Sequence, residues 1–122
     1  MTPVGYLLDS DLLFGSRITG TAQTLGLPMT QCRSPAELLA LAKKQIPACV
    51  LLDVHLDGLN IAELVAGLKA IGNILVIGYG SHVAADVLKA ARADGCDLVQ
   101  PRSQFIAELQ TNLPRWFAGR EA

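Results

Sequence analysis

Short apolar runs alternate with longer stretches of helical spacing along the whole chain, and this alternation constrains the fold more than any other feature. Gly, Pro, Asn, Asp or Ser marks each junction. Strands that alternate with helices favour one parallel sheet covered on both faces. We therefore predict a single flavodoxin-like domain over residues 1–122, an α/β three-layer sandwich with strand order 2-1-3-4-5. The predicted strands are 4–8, 27–32, 49–53, 74–79 and 97–100.

Two helix starts have clear capping signals. Ser34 precedes Pro35 and stands three residues before Glu37, which is a capping box with proline at the first helical position. Asn60 and Glu63 repeat the arrangement before an apolar stripe at three- and four-residue spacing. We expect a helix to begin at each of these positions.

The other helices are predicted from their ends and spacing. The first covers residues 12–25, and the fourth ends at Gly95, which can adopt a left-handed cap. In the last helix Pro114 lacks an amide hydrogen, so we expect a break or kink before Trp116.

The composition excludes several classes of protein. Ten Lys and Arg residues nearly balance eleven Asp and Glu residues, so no charge pattern indicates direct binding of nucleic acid or membrane. No apolar run is long enough to span a bilayer, and we expect a cytoplasmic protein. Cys32, Cys49 and Cys96 have no zinc-site spacing, and we expect buried, reduced thiols.

Acidic residues follow two of the predicted strands. Asp9 and Asp11 come after the first strand, and Asp53 and Asp57 come with the third. Parallel strands direct these loops to one crevice at their carboxyl ends. Converging carboxylates repel each other unless a cation, a proton or a basic side chain lies between them, and Mg²⁺ is a common solution.

The loops resemble those of the receiver domain of bacterial response regulators, over essentially the whole chain. The sequence from Leu52 to Ile61 is similar to the family pattern Leu-Asp-x-x-x-Pro-Gly-x-x-Gly, with Asp57 in place of the proline and Ile61 in place of the last glycine. The resemblance implies that Asp53 is the phosphoacceptor of a histidine kinase. It also implies that Mg²⁺ would be bound by Asp9, Asp53 and the backbone carbonyl of His55.

The departures from the family pattern fall on its switch residues. Ser10 replaces one metal-binding carboxylate, and Gly80 stands where the family has Thr or Ser, although Ser81 could substitute if the register slipped by one. Arg102 replaces the family lysine, and Val99 replaces the aromatic residue that rotates on activation. We expect Mg²⁺ binding to be weak or absent, with Arg102 paired to Asp53 and lowering its pKa.

Simpler readings apply to the same residues. Asp53 could be a loop carboxylate that accepts amide hydrogens from its turn. Asp9 could cap the first helix, with Asp11 in the first turn. The pattern Asp53-x-His55-x-x-Gly58 also resembles a cobalamin-binding motif, but the other elements of that motif are missing.

The sequence therefore predicts a signal-transduction module of a two-component system rather than an enzyme. In the leading hypothesis it binds a histidine kinase or another signalling protein while its phosphorylation switch is degenerate. The alternative within signalling is a working Mg²⁺-dependent phosphoacceptor at Asp53, and a cobalamin carrier is a distant third. The last helix is a candidate homodimer contact, and residues 104–117, with Trp116 and Phe117, are a candidate contact surface.

Overall fold

The computed structural model describes residues 2–119, which form five strands and five helices in strict alternation. The strands are β1 (Gly5–Leu8), β2 (Met29–Cys32), β3 (Cys49–Asp53), β4 (Leu75–Gly80) and β5 (Leu98–Pro101). The helices are α1 (Leu12–Thr24), α2 (Pro35–Lys44), α3 (Ile61–Ile71), α4 (Ala85–Ala93) and α5 (Arg102–Phe117). Among the described residues, no helix is both long and apolar enough to cross a membrane.

All strand pairs are parallel, and the sheet order is β2-β1-β3-β4-β5. The predicted flavodoxin-like fold is confirmed. The register places Asp53 of β3 beside Tyr79 of β4, and Gly80 beside Pro101 of β5. These pairings bring the carboxyl ends of the central strands to one edge of the sheet, where the acidic loops were expected to meet.

Two apolar layers cover the faces of the sheet because side chains of a strand alternate between them. One layer packs α2, α3 and α4 on residues such as Val50 and Leu52. The other packs α1 and α5 on Leu51 and Ile77. The three cysteines are buried free thiols, as predicted, and burial raises the pKa of Cys32 to about 11.

The predicted helix caps are present. The Ser34 side chain accepts a hydrogen bond from the Glu37 amide at 3.1 Å, and the Glu37 carboxylate accepts one from the Arg33 amide at 3.1 Å. The Asn60 side chain accepts from the Glu63 amide at 3.0 Å. Gly95, just beyond α4, has a φ of 113°, which a residue with a side chain rarely adopts. These ends are specified locally, which is why the sequence predicts them well.

Four predicted strands shift at their ends. β1 begins at Gly5 rather than at Val4, β2 begins at Met29 rather than at Leu27, β4 covers Leu75–Gly80 instead of 74–79, and β5 covers Leu98–Pro101 instead of 97–100. The Asp97 side chain, predicted to start β5, instead accepts a hydrogen bond from the Val76 amide at 2.7 Å and one from Lys69 Nζ at 2.6 Å. Asp97 therefore lies just before β5 and fixes the start of the strand through these hydrogen bonds.

The predicted break at Pro114 is wrong, because α5 continues through Pro114 to Phe117. The proline removes one helical hydrogen bond, at a cost of about 3 kcal/mol or more. Trp116 has an exposed fraction of 0%, and its ring stacks on Phe105 with centroids 5.9 Å apart. Phe117 is also buried. Packing of these two rings against the sheet holds the last turn, and they are not the exposed contact surface that was predicted.

Candidate functional site

The site lies at the carboxyl ends of β1, β3, β4 and β5. Asp9 follows β1, Asp53 ends β3, Tyr79 is near the end of β4, and Arg102 begins α5 directly after β5. The structure brings these four side chains together, through a hydrogen bond from Tyr79 to Asp9 and an ion pair between Arg102 and Asp53. Three of them, Asp9, Asp53 and Arg102, are predicted site residues. We call the cluster of all four side chains the carboxylate site.

Asp9 is buried, with an exposed fraction of 1%. The Tyr79 hydroxyl donates a hydrogen bond to its Oδ2, and the Asp11 amide donates to its Oδ1 at 2.8 Å. Both carboxylate oxygens therefore have a donor from the protein. The suggestion that Asp9 caps the first helix is wrong, because Asp11 is the N-cap of α1 and accepts from the Leu13 amide at 2.9 Å.

Tyr79 is the residue that the sequence analysis missed. Its ring lies between Phe14 and Phe105, with centroid distances of 5.3 and 4.4 Å. Burial above all, and then the hydrogen bond to Asp9, raises the pKa of Tyr79, so the hydroxyl keeps its proton and remains a donor. A tyrosine in an otherwise aliphatic central strand was the available signal, since a buried phenol needs a polar partner.

Asp53 is held by its own turn and by one distant cation. Its Oδ1 accepts from the His55 amide at 2.9 Å and lies 4.0 Å from Nη2 of Arg102, and its side chain is 13% exposed. Burial raises the pKa of Asp53, and the charge of Asp9 raises it further. The His55 amide and Arg102 lower it by less. The expected pairing with Arg102 is present and lowers the pKa of Asp53 as predicted, but desolvation outweighs it and leaves the pKa raised.

The space where the receiver family has a hydroxyl is filled by neighbouring side chains. A Cβ atom on Gly80 would lie 2.7 Å from Cγ2 of Val54 and 2.8 Å from Nε2 of His55. Nε2 of His55 accepts a hydrogen bond from the Ser81 amide at 2.9 Å. β4 ends at Gly80, so Ser81 lies one residue beyond the strand. The hydrogen bond also occupies the imidazole nitrogen that lies in this space, which weakens the cobalamin alternative.

Val99 lies on the other face of the sheet from the aromatic rings of the site. Its side chain is buried in the layer formed with α2, α3 and α4, and its carbonyl accepts from Nη2 of Arg92 at 3.0 Å. No aromatic side chain is available at this position to alternate between an inward and an outward state.

The donor set does not fit a magnesium ion. Over residues 2–119 no group of three or more His, Cys, Asp or Glu side chains is arranged to hold a metal. Asp9 is occupied by Tyr79 and Asp11, and Ser10, which stands at the position of the second carboxylate, is exposed and carries only a hydroxyl. A hard divalent cation requires several free oxygen ligands, and this site offers few.

Comparisons with known proteins support the fold. The sequence matches no protein-family model and no curated protein. The structure is similar to the signal receiver domain of NarL from Mycobacterium tuberculosis, with a TM-score of 0.78, 18% identity, and coverage of 98% of this chain and 100% of that one.

Two further solved structures are similar over nearly the same length. The receiver domain of NtrX from Brucella abortus gives a TM-score of 0.80 at 17% identity, and covers 93% of this chain and 98% of that one. A response regulator receiver protein from Burkholderia phymatum gives 0.79 at 23% identity, with 96% of both chains covered. The chain therefore has the fold of response-regulator receiver domains, as the resemblance implied.

Proposed function

We propose that this chain is a receiver-like binding module of a two-component signalling system, acting through contact with a histidine kinase or another signalling protein rather than through phosphorylation of Asp53. The observation that carries the proposal is the hydrogen bond from Tyr79 to Asp9 inside a receiver fold. A receiver needs this aspartate free to bind Mg²⁺, whereas here Asp9 accepts a hydrogen bond from the Tyr79 hydroxyl.

Both carboxylates of the carboxylate site have partners from within the protein. Two carboxylates that meet in a crevice repel each other, and a bound cation usually removes that repulsion. Here Asp9 is stabilised by a neutral donor, Tyr79, and Asp53 by its turn and by Arg102 at 4.0 Å. Because both Asp9 oxygens already have a donor, Asp9 is not free to bind a metal ion, and phosphoryl transfer to Asp53 loses the cation that would neutralise the developing charge.

The route from the site to the surface is also interrupted. Gly80 provides no hydroxyl for a phosphoryl oxygen, and Val54 and His55 fill the space that such a side chain would need. Val99 has no aromatic ring that could alternate between an inward and an outward position. A modification can shift a conformational equilibrium only if it interacts differently with two states of the protein. We infer that the binding surface of this module is permanently in one state.

The working phosphoacceptor is the competing function. It requires Asp9 to turn away from Tyr79 towards a metal ion, which leaves the phenol hydroxyl buried without its partner. The structure gives no observation in favour of that rearrangement. We expect the module to act in the cytoplasm, where histidine kinases present their phosphorylated domains, and to have no catalytic activity on a small substrate.

The proposal is tested by photo-crosslinking in cells that express the tagged protein. A photoreactive phenylalanine replaces Leu13, whose side chain is 83% exposed in the first turn of α1, beside the carboxylate site. The control position is Lys44, which is exposed in the last turn of α2 at the other end of the sheet. We expect crosslinks to a signalling protein from position 13 only, with the same yield when Asp53→Asn is added. Loss of the crosslinks in Asp53→Asn, or equal crosslinks from position 44, contradicts the proposal.

A further inference from the structure

A cleft between α1 and α5 lies next to the carboxylate site and is separate from the proposed signalling role. It has a volume of about 430 Å³, within the range of small-molecule sites. Phe14, which is buried, and the half-buried Ile106 are its apolar residues. Ser81, Ser103 and His82 add polar groups, and none of the carboxylates of residues 2–119 lines the cleft.

Two arginines line the cleft and rest on one aromatic ring. The guanidinium carbon of Arg17 lies 5.9 Å from the centroid of Phe14, and that of Arg102 lies 5.0 Å from it. Such cation–π contacts restrict the motion of long side chains and leave their N–H groups available to a ligand. The two positive charges are thus positioned before any ligand arrives.

The positive charge of the cleft is largely unneutralised. Within residues 2–119, Arg17 has no carboxylate at ion-pair distance, and Arg102 reaches Asp53 only at 4.0 Å. The cleft also includes the first turn of α5, which begins after Pro101 without a side-chain cap or an acidic residue. The amides of a first turn favour an anion, and this effect adds to that of the two guanidinium groups.

We propose that the cleft binds a small phosphate ester, with the phosphate between Arg17 and Arg102 and the attached apolar group on Phe14 and Ile106. Guanidinium groups bind phosphate oxygens in paired hydrogen bonds, and the neighbouring apolar surface favours an ester over inorganic phosphate. The size of the cleft fits a single-ring compound rather than a longer polymer.

The test is a titration of the ¹⁵N-labelled full chain with phenyl phosphate, followed through the amide signals of Ser81, Ser103 and Gln104. Inorganic phosphate and phenol are titrated separately, and a phosphotyrosine peptide forms a fourth arm. We expect saturable shifts with phenyl phosphate and affinity at least about fivefold weaker for inorganic phosphate or phenol alone. Equal binding of phenol, no saturable shift, or a peptide affinity more than about tenfold above that of phenyl phosphate overturns the proposal.

Matched variants separate this site from general attraction to a positive surface. Arg17→Gln should weaken phenyl phosphate binding about tenfold, the effect of losing a charge-assisted hydrogen bond. Arg115→Gln removes the same charge from an exposed position near the other end of α5, roughly 20 Å away along the helix, and should leave the affinity unchanged. An equal loss in both variants overturns the proposal. Because Arg17 makes no contact with the carboxylate site, these results leave the signalling proposal untouched.

Discussion

Replacement of Tyr79 by phenylalanine should destabilise the protein through Asp9. The ring remains, so the stacking on Phe14 and Phe105 is kept and no cavity forms. The change removes the hydroxyl donor from a carboxylate that is 1% exposed and leaves only the Asp11 amide in place. A hydrogen bond to a charged group contributes about 1.5–3 kcal/mol, so we expect the free energy of unfolding to fall by about that amount.

Urea denaturation followed by circular dichroism measures this loss, with the slope of the transition unchanged. The other tyrosine provides the control, because Tyr6 donates to the backbone carbonyl of Gln45 at 2.9 Å, a neutral acceptor. Tyr6→Phe should cost only about 0.5–1.5 kcal/mol. If Tyr79→Phe costs no more than Tyr6→Phe, the hydroxyl of Tyr79 does not stabilise the buried side chain of Asp9, and this interpretation of the site is refuted.

Three further predictions concern the same site. Asp53→Asn should raise the free energy of unfolding at pH 7, because a carboxyl group with a raised pKa in the folded state costs stability when ionised. This gain in stability should shrink as the pH falls towards 3.8, the ordinary pKa of the group. A loss of stability at pH 7 would show that the pairing with Arg102 dominates. Gly80→Thr should lower the free energy of unfolding by about 1–3 kcal/mol, measured by urea denaturation, and adding His55→Ala should recover part of that loss. No loss would mean that the loop carrying Val54 and His55 moves aside freely. Millimolar Mg²⁺ should leave the fluorescence of buried Trp116 unchanged, whereas a saturable change, transmitted through the stacked rings, would reveal a metal site.

The fold could be predicted because its determinants are local. Alternating apolar runs fixed the order of strands and helices, and the Ser34 and Asn60 caps marked helix starts through contacts three residues apart. Pro114 shows where local reasoning fails. Its cost to the helix is visible in the sequence, but the burial of Trp116 that outweighs this cost depends on packing against distant residues.

The site could be predicted only in part, for a similar reason. The sequence placed Asp9, Asp53 and Arg102 near one crevice, because strand ends converge in a parallel sheet. It did not identify the partner of Asp9, because Tyr79 lies 70 residues away in the sequence. The two residues meet only in the folded sheet, where β3 lies between β1 and β4. The sequence indicated that Arg102 lowers the pKa of Asp53, but it does not show the extent of burial, which outweighs that charge and leaves the pKa raised.

Treatment with acetyl phosphate and Mg²⁺, followed by intact-protein mass measurement, tests the central claim most directly. We expect no added phosphoryl group, because Tyr79 occupies Asp9 and, within residues 2–119, neither a hydroxyl at position 80 nor a metal-binding group of side chains completes the surroundings of Asp53. A mass increase of one phosphoryl group in the wild-type protein, absent in Asp53→Asn, would contradict it and identify a working phosphoacceptor.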